Sequence, residues 1–240
     1  MENACKKEIA AVSAAMRVGF AKTPCDWQAK QIRSITCSAH AGVVVHLLVQ
    51  ATGGGKSLVR NAAARALGGA RPTVSPLLVL GSDQSSKLKT MTQPGTGVKS
   101  AHLDETAAGS VPETKLLQDA ENLPSHRREL SSPQRLGSES WTKQLPRVIS
   151  VKVLKMVRAD EAHPHVMHGL HFRPKFFKLK EILFDKMGNS NVPAVFVTVT
   201  ATEQMIGHIK QLSGGLDVLP ENITWPGSEQ GVQHRDIVPG

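Results

Sequence analysis

The sequence predicts an α/β domain with a mostly parallel sheet flanked by helices, and three observations support it. Val43-Val44-Val45-His46-Leu47-Leu48-Val49 is a short, largely β-branched apolar run without the polar alternation of a half-exposed strand, which is how buried parallel strands read. Through Gly53-Gly54-Gly55-Lys56-Ser57 it passes into Ala-rich residues 58–68, so strand, glycine loop and helix follow in the order of a βα unit. A second such run, Ala194 to Thr200, comes after a helical stretch through Phe176 to Met187.

Taken in order, residues 4–20 read as a helix, with Ile9, Val12, Met16 and Phe20 recurring at spacings of three and four and Gly19 helping to end it. A second helix runs through Trp27 to Ile35. The strand over 42–49, the glycine loop and the helix over 58–68 come next. Residues 81–147 hold much Ser, Gly, Pro and Thr with poor periodicity and are expected to be partly irregular. The segments before Ser75 and Ser132 contain Arg71-Pro72 and His126-Arg127-Arg128-Glu129, poor material for buried strands. Val151 to Val157 reads as a strand despite Lys152 and Lys155, and beyond residue 213 periodicity is lost. The expected organisation is a helical segment over 1–20, the α/β domain over 21–213 and a linker-like tail over 214–240.

The 240 residues are 40% hydrophobic, enough for a core and too much for a wholly disordered chain. No apolar run approaches the roughly 18 residues of a membrane span. The start, Met1 to Glu8, carries acids and no apolar region, against a secretory signal. Three widely spaced cysteines, Cys5, Cys25 and Cys37, predict reduced thiols. A formal charge of +9 favours polyanionic partners, although the basic residues are dispersed and any anion groove must be assembled by folding.

The chemistry concentrates in two places. In Ala51-Thr52-Gly53-Gly54-Gly55-Lys56-Ser57, successive N–H groups and a helix dipole can cradle phosphates, with Lys56 reaching the β/γ-phosphates and Ser57 meeting Mg²⁺. The first glycine of the common GxxxxGK[ST] pattern is Gln50 here, so the motif is incomplete as usually written. Asp160-Glu161 closes a second strand, where Asp160 can hold Mg²⁺ through water and Glu161 can orient or deprotonate the attacking water. The bland readings are a chance GGGKS in a flexible loop and an acidic pair on a helix cap. The two motifs in this order favour ATP hydrolysis.

With those residues in view, the sequence resembles the first RecA-like domain of superfamily-2 helicases, and within them the RecQ-like, DEAH-box DNA helicases. QATGGGKSL is close to that family's glycine loop, with Ala51 in place of a usual proline. Trp27 to Ile35 is similar to the segment that reads adenine, with Gln31 in the glutamine position and Gln28 where the family has arginine. Val74-Ser75-Pro76-Leu77-Leu78 through Asp83-Gln84, and Ser132-Pro133-Gln134-Arg135-Leu136, resemble two segments that face the DNA strand. Asp160-Glu161-Ala162-His163 followed by Phe172-Arg173-Pro174 is similar to the DEAH box and the aromatic-rich loop that couples single-stranded DNA to hydrolysis. His168, Leu170 and His171 depart from that loop's pattern. Thr200-Ala201-Thr202 matches the motif linking hydrolysis to domain movement.

The resemblance, over roughly residues 16–205, implies ATP and Mg²⁺ as cofactors and DNA-stimulated hydrolysis driving 3′–5′ translocation along single-stranded or forked DNA. It implies Gln31, Thr52 and Gly53 to Ser57 around the nucleotide, Ser57 and Asp160 on the metal, and Glu161 and Lys56 in catalysis. It places Ser75, Ser132, Phe172 and Arg173 on nucleic acid, and His163, Thr200 and Thr202 in coupling. A second RecA-like domain, supplied in trans, would be needed for unwinding. The compartment implied is the nucleus in a eukaryote and otherwise the cytoplasm, with no membrane partner. Two alternatives stay open: a non-catalytic nucleotide- or nucleic-acid-binding remnant, and a small-molecule P-loop kinase, against which the DEAH, FRP and TAT series argues. A zinc site in His163, His165, His168 and His171 fits no standard spacing. Trp141, Trp225 and Phe176-Phe177 read as packing residues.

Overall fold

The apolar run ahead of the glycine loop forms strand β1 (Val45–Val49), buried at all five positions. Around it the computed structural model describes residues 23–38, 44–67, 72–74, 99–103, 127–131, 139–152, 154–160, 179–188, 190–216, 218 and 223–224. The other strands are β2 (Pro72–Val74), β3 (Lys99–Leu103), β4 (Arg127–Ser131), β5 (Val157–Ala159), β6 (Ala194–Thr198) and β7 (Ile223–Thr224). They form one sheet in the order β3-β4-β2-β5-β6-β1-β7, and every pairing is parallel.

Helices cover both faces, which explains why β1 and β6 read as continuous apolar runs. On one face lie α1 (Asp26–Ser38) and α2 (Lys56–Leu67). Ile32 and Ile35 of α1 and Leu58, Val59, Ala62 and Ala63 of α2 pack there on Leu48, Met156, Val195 and Val197. On the other face lie α3 (Glu139–Ser150), a π-helical turn (Lys180–Phe184) running into α4 (Asp185–Met187), and α5 (Glu203–Leu212). Leu145, Val148, Leu183, Met205 and Ile209 of that layer meet Val45, Leu47, Val157, Ala159 and Phe196. The Phe184 ring stacks on Phe196 with centroids 6.1 Å apart.

Several expectations change. Residues 81–147 contain β3, β4 and the start of α3. Strands do form at Pro72 and at Arg127 to Glu129. Proline is tolerated at the first position of a strand, and parallel neighbours on both sides supply ladder partners whatever the side chains are. Of the strand expected over 151–157, Val151 and Lys152 form a turn and only Val157 belongs to β5. The Val151 N–H donates to the Arg147 carbonyl at 3.0 Å and that of Lys152 to Ile149 at 2.9 Å, closing α3 with Lys152 at φ 56°. This leaves Lys152 exposed and Lys155 half-buried, whereas a strand across the sheet would have buried an ammonium.

The helix expected up to Met187 is π-helical between Lys180 and Phe184. Its i to i+5 spacing brings Lys180 Nζ to Asp185 Oδ1 at 2.8 Å. The tail expected to be linker-like gives β7, paired with β1 at Leu47 and Leu48. Cys25 is free and exposed, but Cys37 is disulfide-bonded, against the expectation of reduced thiols. The expected helix over 4–20 lies outside the described residues. No helix among the described residues is long and apolar enough to cross a membrane.

Candidate functional site

Because β5, β6 and β1 are neighbours running in one direction, their carboxyl ends release Asp160, Val199 and Gln50 along one edge of the sheet. Ligands of open α/β sheets bind at this edge. The Gln50 N–H donates to the Thr198 carbonyl at 3.1 Å and ties two of the three exits together. β2 and β4 end in register at Val74 and Ser131, one residue before Ser75 and Ser132.

The glycine loop leaves β1 and enters α2 directly. Gly53 and Gly55 stand at φ 83° and 89°, a backbone region costly for other residues. At Gly55 a Cβ would also lie 2.3 Å from Gln28 Nε2 and 3.9 Å from Trp27 Cζ2, so the loop sits against the start of α1. Gln28 also caps that helix, accepting at Oε1 from the Cys25 N–H at 3.1 Å. The half-buried Lys56 turns back over the loop. Its Nζ donates to the Gln50 carbonyl and to that of Ala51, the latter at 3.0 Å. Ser57 is exposed in the first turn of α2, where backbone N–H groups have no carbonyl within the helix to receive them. One ammonium, a helix N-terminus and a glycine loop at positive φ together make a cradle for an anion.

Gln31, one turn beyond Trp27, is 4% exposed, and its buried Oε1 has no hydrogen-bond partner among the described residues. Thr198 Oγ1 donates to the Thr200 carbonyl at 2.7 Å and bends the chain out of β6. The Thr202 hydroxyl accepts from the Met205 N–H at 3.2 Å as the cap of α5, a structural duty, and Thr200 is exposed.

Asp160 is 2% exposed, and its Oδ1 accepts from Nη1 of Arg60, itself 4% exposed, in a buried ion pair. An arginine thus stands where the sequence reading put Mg²⁺. Ser57 suits a divalent cation, whereas at Asp160 the Oδ1 is already taken by Arg60 and only the buried Oδ2 is left to one. Arg60 and the fully buried Arg158 were missed as site residues. The signal for both was a charge inside an apolar segment. Glu161, His163, Ser75, Ser132, Phe172 and Arg173, like the histidine cluster, lie outside the described residues. No group of three or more metal-ligating side chains occurs among the described residues.

His46, on β1, is a buried polar residue beside the site. Ser38 Oγ donates to the Ile35 carbonyl at 2.8 Å, so its 2.9 Å bond to His46 has Nε2 as donor and leaves Nδ1 bare and buried. Burial lowers the His46 pKa to about 4. The folded protein keeps this ring neutral while the unfolded chain protonates it near 6.5. Its contribution is therefore full above pH 6.5 and is lost as pH falls towards 4, about 1.4 kcal/mol per unit and about 3 kcal/mol in all. Urea unfolding at pH 7 and 4.5 should show a steeper loss for wild type than for His46→Gln. Parallel losses would remove this account.

No protein-family model matches the chain. A Caenorhabditis elegans protein provisionally named ATP-dependent DNA helicase Q1 is 32% identical over 171 residues, covering 70% of this chain and 26% of that protein. The Arabidopsis thaliana ATP-dependent DNA helicase Q-like 2 is 30% identical over 161 residues, covering 66% of this chain and 22% of its own length. This chain is a relative of the RecQ-like DNA helicases. The RecQ-like chain spans about a quarter of the length of these curated relatives. Among solved structures, the DUF1998 helicase MrfA bound to DNA matches with a TM-score of 0.57 and 19% identity over 86% of this chain and 28% of that one. A DEAD box protein from Methanococcus jannaschii matches at 0.55 and 15% identity over 86% of this chain and 52% of that one. These likenesses concern the fold alone: the chain has a RecA-like architecture, a parallel sheet flanked by helices.

Proposed function

We propose that this chain is the ATP-binding half of a RecQ-like 3′–5′ DNA helicase, taking ATP at the glycine loop and single-stranded or forked DNA along the neighbouring strand exits. The observation that carries the reading is the loop itself: Gly53 and Gly55 at positive φ between buried β1 and the N-terminus of α2, with Lys56 folded across. Lys56 would exchange the Gln50 and Ala51 carbonyls for phosphate oxygens, alongside N–H groups of the loop other than that of Gly54, which donates to the Ala51 carbonyl at 3.0 Å. The orphaned Oε1 of Gln31 supports a role in accepting from the adenine amine. Ser57 would meet a divalent cation arriving with the phosphates. Glu161 would position the attacking water, and Thr200, Thr202 and His163 would transmit the nucleotide state. Ser75, Ser132, Phe172 and Arg173 would contact DNA, Arg173 through phosphate. Unwinding would need a second RecA-like domain, present elsewhere in the protein or supplied in trans.

Lys56→Ala should weaken ATP binding about 10- to 100-fold in a calorimetric titration, the range expected when a charge-assisted contact is lost. Lys6→Ala should leave it unchanged. Equal affinities in the two variants would remove the phosphate loop from the proposal. The second reading, a nucleotide-binding remnant that no longer hydrolyses, is favoured by one observation, the Arg60–Asp160 pair.

A further inference from the structure

Asp160 leaves β5 on the face covered by α2, and so does Arg158 two residues earlier, since alternate strand positions share a face. Arg158 is fully buried, with Nη1 3.4 Å from Asn61 Oδ1 on α2. Arg60, from the second turn of the same helix, closes on Asp160 Oδ1. The strand end therefore presents one carboxylate and two guanidiniums to α2, all almost fully shielded from water. A guanidinium remains charged at every accessible pH, so Arg60 cannot vacate the carboxylate by losing a proton. A hard divalent cation needs oxygen ligands, and here it would have to enter a poorly solvated pocket in which Arg60 already lies on Asp160 Oδ1.

We infer that Arg60 serves as a built-in counter-cation at Asp160, occupying the carboxylate in place of a divalent metal and excluding the metal until the guanidinium is displaced. The inference rests on the reading of the adjoining loop as a phosphate site, because it is there that a metal would matter. It makes Arg60 a residue that sets metal access at this site. Ser57, exposed at the start of α2, stays open to a cation carried in on phosphate, so the exclusion acts at Asp160 alone.

The test uses the full chain without nucleotide, titrated with Mn²⁺ while free Mn²⁺ is followed by electron paramagnetic resonance. Arg60→Met should gain a site at least tenfold tighter than any in wild type, and Arg60→Met combined with Asp160→Asn should lose it again. Wild type and Arg60→Met behaving alike, whether both bind or neither does, overturns the inference. So does a gained site that survives Asp160→Asn. Circular dichroism checks folding. Should Arg60→Met not fold, Arg60→Lys, which keeps the charge but loses the planar fork, should show a smaller gain of the same kind, and no gain overturns the inference. As ATP is absent throughout, a failure of the nucleotide reading would appear only in the Lys56 titration and would leave this result intact.

Discussion

Asp160→Asn is expected to destabilise the fold by about 3–5 kcal/mol, the usual effect of removing one member of a buried ion pair. The cause is the charge left behind. Arg60 and Arg158 are 4% and 0% exposed, and without the carboxylate both guanidiniums remain in the low-dielectric layer between α2 and the sheet. Arg60→Met, which removes one of the two buried guanidiniums, should cost less. Arg60→Met with Asp160→Asn should recover part of the loss by removing one buried charge of each sign. With total stabilities typically of 5–15 kcal/mol, Asp160→Asn alone could bring the protein close to unfolding at room temperature. Urea unfolding of the four proteins measures the series. A loss under about 1 kcal/mol for Asp160→Asn would show that water or another group already compensates the arginines.

The 240-residue chain on its own is expected not to separate duplex DNA, and its ATP hydrolysis is expected to run about 10³–10⁵-fold below that of a complete two-domain helicase, the usual value of an arginine finger. In the proposed function, the sheet edge that releases Gln50, Asp160 and Val199 would supply one wall of a nucleotide cleft. Phosphoryl transfer relies on positioning and on positive charge directed at the γ-phosphate. Of the described cations nearest the loop, Lys56 sits on carbonyls and Arg60 on Asp160. Translocation further requires two grips on one strand that move relative to each other. A strand-displacement assay checks the prediction, with Lys56→Ala as control for contaminating enzymes. Displacement by wild type that disappears in Lys56→Ala would mean that a second motor surface lies within this chain.

The β1–loop–α2 unit was legible because two periodicities meet at a glycine-rich junction, and local composition is enough to mark that. The resemblance marked Trp27 to Ile35 as a nucleotide segment, but the close approach of Gln28 and Trp27 to Gly55 has a local steric cause that the sequence does not display. β2 and β4 were discounted because Pro72, Arg127 and Arg128 argue against burial, yet register with parallel neighbours overrode that local preference. The two lysines of 151–157 were a correct warning, and the structure answers it by ending α3 late and starting β5 at Val157. Arg60 and Asp160 are 100 residues apart in sequence, and neither residue's surroundings announce the other. Such a pair becomes visible only once the sheet order is known.

That sheet order has a consequence for the history of each molecule. Strand β1 is made early, yet its neighbours β6 and β7 begin at Ala194 and Ile223, about 150 residues or more further along. Closing so long a stretch costs entropy before any ladder bond returns it, so assembly of this part of the sheet is expected to be slow. On the ribosome, Val45 to Val49 must wait, apolar and unpaired on both sides, until residues 194–224 have emerged, and in that interval it is exposed to aggregation and to chaperone capture. The glycine loop takes its place only when Thr198 arrives to receive the Gln50 N–H. Anion binding at the loop would therefore report completed folding, and a nascent chain released before residue 194 should show none.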